Sequence, residues 1–172
     1  MDRTGKAERD AAFTAFVEQA TPSLLRTAWL LTGDHHAAHD LVQAALVRTY
    51  VAWPRVRPET ALAYARRILV NERTDRWRRT GAELAVATPP ESAATAGSAT
   101  EDRDVVVRLL ATLPDQQRKV VVLRYYADLS EAQIAAALDI SPGAVKSHAH
   151  RGLMTLRATM PPTPTTPTTE QP

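Results

Sequence analysis

Residues 129–157, "LSEAQIAAALDISPGAVKSHAHRGLMTLR", constrain the fold more than any other part of the chain. Ser130 and Gln133 have the spacing of a capping box, in which the hydroxyl and the amide side chain satisfy each other's backbone N–H groups at a helix start. Ser141 stands directly before Pro142, and proline belongs in the first helical position, where its missing N–H costs nothing. The first helix is therefore short, and the turn through Asp139 and Ile140 is tight. Ile134 and Leu138 face inward, Ala135 is small enough for a second helix to approach, and Ile140 plugs the gap. Two helices joined in this way form a helix-turn-helix.

Projecting the second helix at about 100° per residue separates two faces. Val145, Ala149, Gly152 and Leu156 fall on the buried side. Gly143, Ser147, His150 and Arg151 point outward, with Ala144 and Lys146 at the margins. A short-chained, cationic outer face is what a helix entering the major groove presents. Lys146, Ser147, His150 and Arg151 are the candidate contacts: arginine can chelate a guanine edge, while lysine and serine hold phosphates or bases. The plain alternative is a helical hairpin with a solvated face.

The remaining apolar spacing is also helical, with no convincing period of two. Phe13, Phe16, Val17 and Ala20 make a first stripe. Thr21-Pro22 predicts a break and a second helix through Leu24, Leu25, Ala28 and Leu31. Gly33 can stop that helix in a left-handed conformation and Asp34 can cap the next, over about 34–53, with Leu41, Val42, Ala45, Leu46 and Trp53 on one side. After "PRVRP", Thr60 can cap a helix to about Arg79. Residues 81–103 are small, polar and acidic, which predicts a flexible linker. Periodicity resumes with Val106, Leu109, Leu110 and Leu113, and "PPTPTTPTTEQP" (161–172) predicts a disordered tail. The predicted fold is all-α: an N-terminal segment (1–10) and two small helical domains (11–80 and 104–160) joined by that linker.

Charge is segregated. Residues 54–79 hold eight Lys/Arg against three Asp/Glu, and residues 80–104 hold one against five, so the net charge of +2 hides a local basic field. Arg67, Asn71, Thr74 and Arg78 share one face of the predicted helix, placing an amide among cations. Amides can read an extruded base while arginines follow phosphates. Arg66, Arg73, Arg76 and Arg79 extend the cluster, or are solvated, or pair with Glu72 and Asp75. Cysteine is absent, which excludes disulfides, thiolate metal sites and a Cys nucleophile. There is no signal-peptide pattern, no apolar run of membrane length and no phosphate-cradling glycine loop. These features predict a soluble protein of a reducing compartment, the cytoplasm, with no cofactor and no catalytic residues.

"LPDQQRKVVVLRYYADLSEAQIAAALDISPGAVKSHAHRGLMTLR" resembles region four of bacterial RNA polymerase sigma factors of the extracytoplasmic-function (ECF) type. "LLRTAWLLTGDHHAAHDLVQAALVRTYVAW" with "AYARRILVNERTDRWRR" resembles region two, closest to the actinobacterial branch. The resemblance implies a dissociable subunit that directs core polymerase to promoters. By position it implies that Asp40, Leu41, Val42 and Gln43 dock on the clamp coiled coil of the largest core subunit. Asn71, Arg67, Arg73, Arg76, Arg78 and Arg79 then take the melted minus-ten strand, while Lys146, Ser147, His150 and Arg151 read the minus-thirty-five duplex. Core polymerase and promoter DNA are the implied partners, and an anti-sigma factor is a further one. His39 and Ala44 stand where the family commonly has acidic residues, and Asp139 where it has a turn glycine.

"HHAAHD" (35–40) has metal-helix spacing, with His35 and His39 four apart. A third ligand is wanting nearby, so the expectation is surface histidines beside a docking site. Two other function classes stand against the sigma-factor reading. One is a stand-alone helix-turn-helix regulator that binds duplex without polymerase. The other is a metal-dependent helical-bundle enzyme built on His35 and His39.

Overall fold

Helical spacing becomes seven α-helices in the computed structural model, which describes residues 3–81 and 98–160, with side chains over 5–74 and 105–160. They are α1 (Arg3–Thr32), α2 (His35–Ala52), α3 (Ala61–Gly81), α4 (Ser98–Ala111), α5 (Asp115–Val121), α6 (Glu131–Leu138) and α7 (Pro142–Thr159). Short 3-10 turns at Trp53–Arg55 and Pro58–Thr60 link α2 to α3, and a π turn over Val122–Tyr126 extends α5. No strand occurs among the described residues.

Four helices were expected before residue 80, and three form. The break at Thr21-Pro22 does not occur, because α1 runs through it. Proline removes the bond its N–H would make to the Glu18 carbonyl, yet Glu18 and Pro22 are both exposed, so water can serve that oxygen. The apolar stripe continues past it without a phase change: Ala20, Leu24, Ala28 and Leu31 are all buried. Burial on both sides holds the helix together. Thr60 also differs from its expected role, since its hydroxyl donates to the Arg57 carbonyl (3.1 Å) inside the 3-10 turn instead of capping α3.

Other local signals behave as their chemistry dictates. Gly33 adopts φ +72° and its N–H reaches the Trp29 carbonyl (2.8 Å). Asp34 Oδ1 accepts from the Ala37 N–H at 2.6 Å, capping α2. The Ser130–Gln133 capping box is complete in both directions. Asp139 closes α6 in the left-handed region (φ 53°), which aspartate tolerates better than most residues. Ser141 Oγ accepts from the Ala144 N–H (3.1 Å) at the start of α7.

α1, α2 and α3 pack as one module around Leu24, Leu31, Leu41, Ala45, Leu69 and Val70. α5, its π turn, α6 and α7 form a second around Val120, Val122, Leu123, Ile134 and Val145. α4 starts at Ser98, inside the span expected as linker, and the rest of that span (82–97) lies outside the described residues, as does the tail 161–172. The modules touch: α1 meets α4 and the π turn, and α3 meets α6.

Candidate nucleic-acid interface

α7 carries its faces as projected. Val145, Ala149 and Gly152 are buried, while Lys146, Ser147, His150 and Arg151 are exposed. The close approach at Gly152 is severe, since a Cβ there would sit 2.8 Å from Val121 Cγ2 of α5. That contact fixes α7 against its support and sets the outer face at a defined height. Arg151 Nε rests on the Ser147 carbonyl of its own helix (3.3 Å), a geometry that aims the guanidinium along the surface. Lys146 Nζ lies 3.6 Å from Glu131 of α6, whose other oxygen is held by Arg124 (2.9 Å). His148 is the inward histidine of "HAH". Burial first, and then the charge of Arg151, lowers its pKa, so a neutral ring faces the support helices while His150 faces out.

On α3, Arg67 and Asn71 are both exposed and four residues apart, so they share a face. The Arg67 guanidinium lies over the Tyr64 ring, 5.4 Å from its centre, which makes a flat cationic shelf beside the amide. Arg76, Arg78 and Arg79 belong to the last turns of α3, and their side chains lie outside the described residues. Arg73 is placed differently. It turns to the second module and forms an ion pair with Asp115 at the start of α5. Arg66 likewise turns away, donating to the Ala127 carbonyl (3.0 Å) and to Ser23 Oγ (2.9 Å). Glu72 pairs with Arg48 of α2 (2.6 Å).

Of the four residues expected to dock on polymerase, Leu41 and Val42 are buried in the bundle, and Asp40 and Gln43 are exposed. The exposed edge of α2 runs through His36, Asp40, Gln43 and Val47 to Val51, and the two valines are 59% and 77% exposed. Val51 follows Val47 at i, i+4 on that edge, a continuation that helical spacing dictates.

His35 stacks on Trp29 (ring centres 5.2 Å apart, 13° between planes), and His39 is exposed on the next turn. No group of three or more His, Cys, Asp or Glu side chains comes together among the described residues. Both histidines line one side of a groove of about 1090 Å³ between the modules, whose floor and far wall include Leu25, Leu30, Val106, Leu110, Tyr125 and Leu156. No helix among the described residues is long and apolar enough to cross a membrane.

Comparison with known proteins identifies the family. Residues 16–83 match the model of sigma-70 region 2, and residues 103–156 match that of sigma-70 region 4. The chain is 41% identical over 149 residues to an RNA polymerase sigma-E factor of Streptomyces avermitilis, covering 84% of this chain and 83% of that one. It is 34% identical over 166 residues to the ECF RNA polymerase sigma factor SigL of Mycobacterium tuberculosis, covering 91% and 94%. Among solved structures, the sigma factor RpoE of Bartonella quintana, in complex with the anti-sigma factor NepR, has the same fold, with a TM-score of 0.69, 24% identity and coverage of 85% and 94%. CnrH, in complex with the cytosolic domain of CnrY, has a TM-score of 0.65 at 23% identity, covering 87% of each chain. Two sigma regions in their order do not favour a stand-alone regulator. The chain belongs to the ECF group of sigma-70 factors, the RNA polymerase subunits that bind core enzyme and promoter DNA to direct transcription initiation.

Proposed function

We propose a division of labour among three helices. α2 docks on the clamp coiled coil of the largest core subunit through Asp40, Gln43, Val47 and Val51, with Leu41 and Val42 shaping that helix from inside. α3 receives the unpaired minus-ten strand at Asn71 and Arg67, and its C-terminal arginines Arg76, Arg78 and Arg79 follow the phosphates. α7 reads the minus-thirty-five duplex with Lys146, Ser147, His150 and Arg151. The work is binding rather than catalysis, done in the cytoplasm without a metal or cofactor. Strand separation is driven by capture of unstacked bases.

The observation that carries this reading is the exposed pair Arg67 and Asn71, an amide beside a cationic shelf on the face of α3 turned away from the bundle core. Amide and guanidinium are the groups that grip an extruded base and its phosphate. The test is Asn71→Ala with purified core. Core binding should be unchanged and open-complex formation reduced, and normal opening by the variant removes Asn71 from the site. The apolar groove beside His35 and His39 suits an amphipathic helix, and one neighbour in fold, RpoE, was solved with an anti-sigma factor. An anti-sigma helix there would bridge the two modules.

A further inference from the structure

The contacts within each module are mainly apolar, but those between α3 and α5 are ionic. Asp115 stands at the first position of α5 and is touched from two sides. Arg73 of α3 pairs with its Oδ1, and Lys119, one turn along α5, pairs with Oδ2 at 2.6 Å. Lys119 Nζ also donates to Thr74 Oγ1 of α3 at 2.8 Å, which closes a four-residue ring across the interface. Lys119 is 1% exposed, the Arg73 side chain 13% and that of Asp115 24%, so the ring is largely shielded and open to water at the carboxylate. Burial opposes the Asp115 charge, but the Lys119 hydrogen bond and the neighbouring Arg73 outweigh it and hold the carboxyl below its ordinary range. A few residues away, Arg66 of α3 binds the Ala127 carbonyl left by the π turn. Two of the basic side chains on the strand-contacting helix are thus engaged by the other module.

That arrangement conflicts with reading a promoter. Elements centred some 25 base pairs apart lie about 85 Å apart along a duplex. Modules in van der Waals contact cannot touch both. The 17 peptide steps from Gly81 to Ser98 can span at most about 60 Å, enough to let the modules part far beyond their present contact. The described structure is a closed state with the α2 stripe and the α7 outer face exposed and part of the α3 cationic surface occupied.

We propose that Asp115 is an intramolecular latch: its carboxylate takes the place of a DNA phosphate on Arg73, and with Lys119 and Thr74 it holds the two modules closed until core polymerase and promoter separate them. A carboxylate and a phosphate present similar oxygen pairs to a guanidinium, so the arginine can pass from one to the other with its hydrogen bonds kept. The device rests on α3 as the strand-contacting helix, and it adds that strand capture is masked in the free protein. A closed state that outweighs the open one lowers apparent affinity by the fraction that is open.

The test uses the full chain. With no native cysteine, Glu59→Cys and Arg157→Cys place donor and acceptor dyes on exposed sites of the two modules. Asp115→Asn should lower energy transfer and raise affinity for a short fluorescent single-stranded DNA, by about tenfold if the closed form dominates by that factor. Glu131→Gln is the control, because Arg124 and Lys146, the partners of Glu131, both lie in its own module; it should leave transfer unchanged. If Asp115→Asn loses helix content, Arg73→Gln breaks the same pair from the other side and should open the chain equally. Unchanged transfer in both variants overturns the latch. Opening without tighter strand binding overturns the masking, and Arg67→Ala in the opened chain separates the causes. If Arg67→Ala also has no effect, the error lies in α3 as the strand helix.

Discussion

The contact between Gly152 and Val121 allows a prediction whose sign is set by two competing effects. A Cβ at 152 would lie 2.8 Å from Val121 Cγ2 and 3.5 Å from Gln117 Cβ. Carbon atoms prefer about 3.5–4.0 Å, so α5 and α7 must separate or Val121 must move by most of an ångström. Val121 is 6% exposed, and a valine in a helix has essentially one side-chain rotamer, so rotation gives little relief. Overpacking of this kind costs about 1–3 kcal/mol. Alanine returns about 1 kcal/mol through its better helix propensity. Gly152→Ala should therefore destabilise the fold by about 1 kcal/mol, read as a lower urea midpoint at unchanged slope. The diagnostic step is the double variant with Val121→Ala, which removes the methyl that clashes. The Gly152→Ala cost should vanish or reverse in that background, giving a favourable coupling of about 1–2 kcal/mol. Simple additivity, or a Gly152→Ala that raises the midpoint, would refute the claim that this glycine sets the height of the recognition helix.

Two further outcomes follow from side chains of α7. Arg151→Ala should weaken binding to a minus-thirty-five duplex by about 1–3 kcal/mol while leaving core binding intact; an equal loss on any duplex would mark it as a phosphate contact. His148 has a depressed pKa and an Nδ1 without a partner among the described residues. Its unfolded form takes up a proton more readily than the folded one, so stability is full above about pH 6.5 and falls as pH drops through that value. His148→Gln should flatten this acid limb in denaturant titrations, and an unaltered slope would place the titrating group elsewhere.

How legible the molecule was depended on whether a contact was local. The caps at Asp34, Ser130 and Ser141 and the left-handed turns at Gly33 and Asp139 each rest on chemistry within a few residues, and all were readable. The faces of α7 followed from spacing alone. Pro22 misled because a local breaker was overridden by burial of Leu24, Ala28 and Leu31, which no local pattern weighs. The fate of the basic cluster was illegible for a different reason. Asp115 and Lys119 are four apart and could be paired on paper, but Arg73 is 42 residues from Asp115, and only the packing of α3 against the second module joins them. Lys119, in the run "RKVVV", looks like a solvated cation and is among the least exposed side chains of the protein.

The chemistry of the two kinds of interface accounts for this difference and for its use. Inside each module, leucines, valines and alanines interdigitate, and parting them would expose apolar surface to water at about 25 cal/mol per Å². Nothing in a promoter could replace those contacts. Between α3 and the second module the polar bonds are guanidinium to carboxylate, ammonium to hydroxyl and guanidinium to carbonyl. Buried ion pairs add little net stability once desolvation is counted, yet each lone partner is costly, so such an interface stays shut only while every member is matched. A polyanion can match the cations in turn. These α3 bonds can therefore pass to a polyanion without unfolding either module, which leaves the apolar contacts of α1 and α3 with the second module to be parted, and the positions of Arg66 and Arg73 suit that exchange.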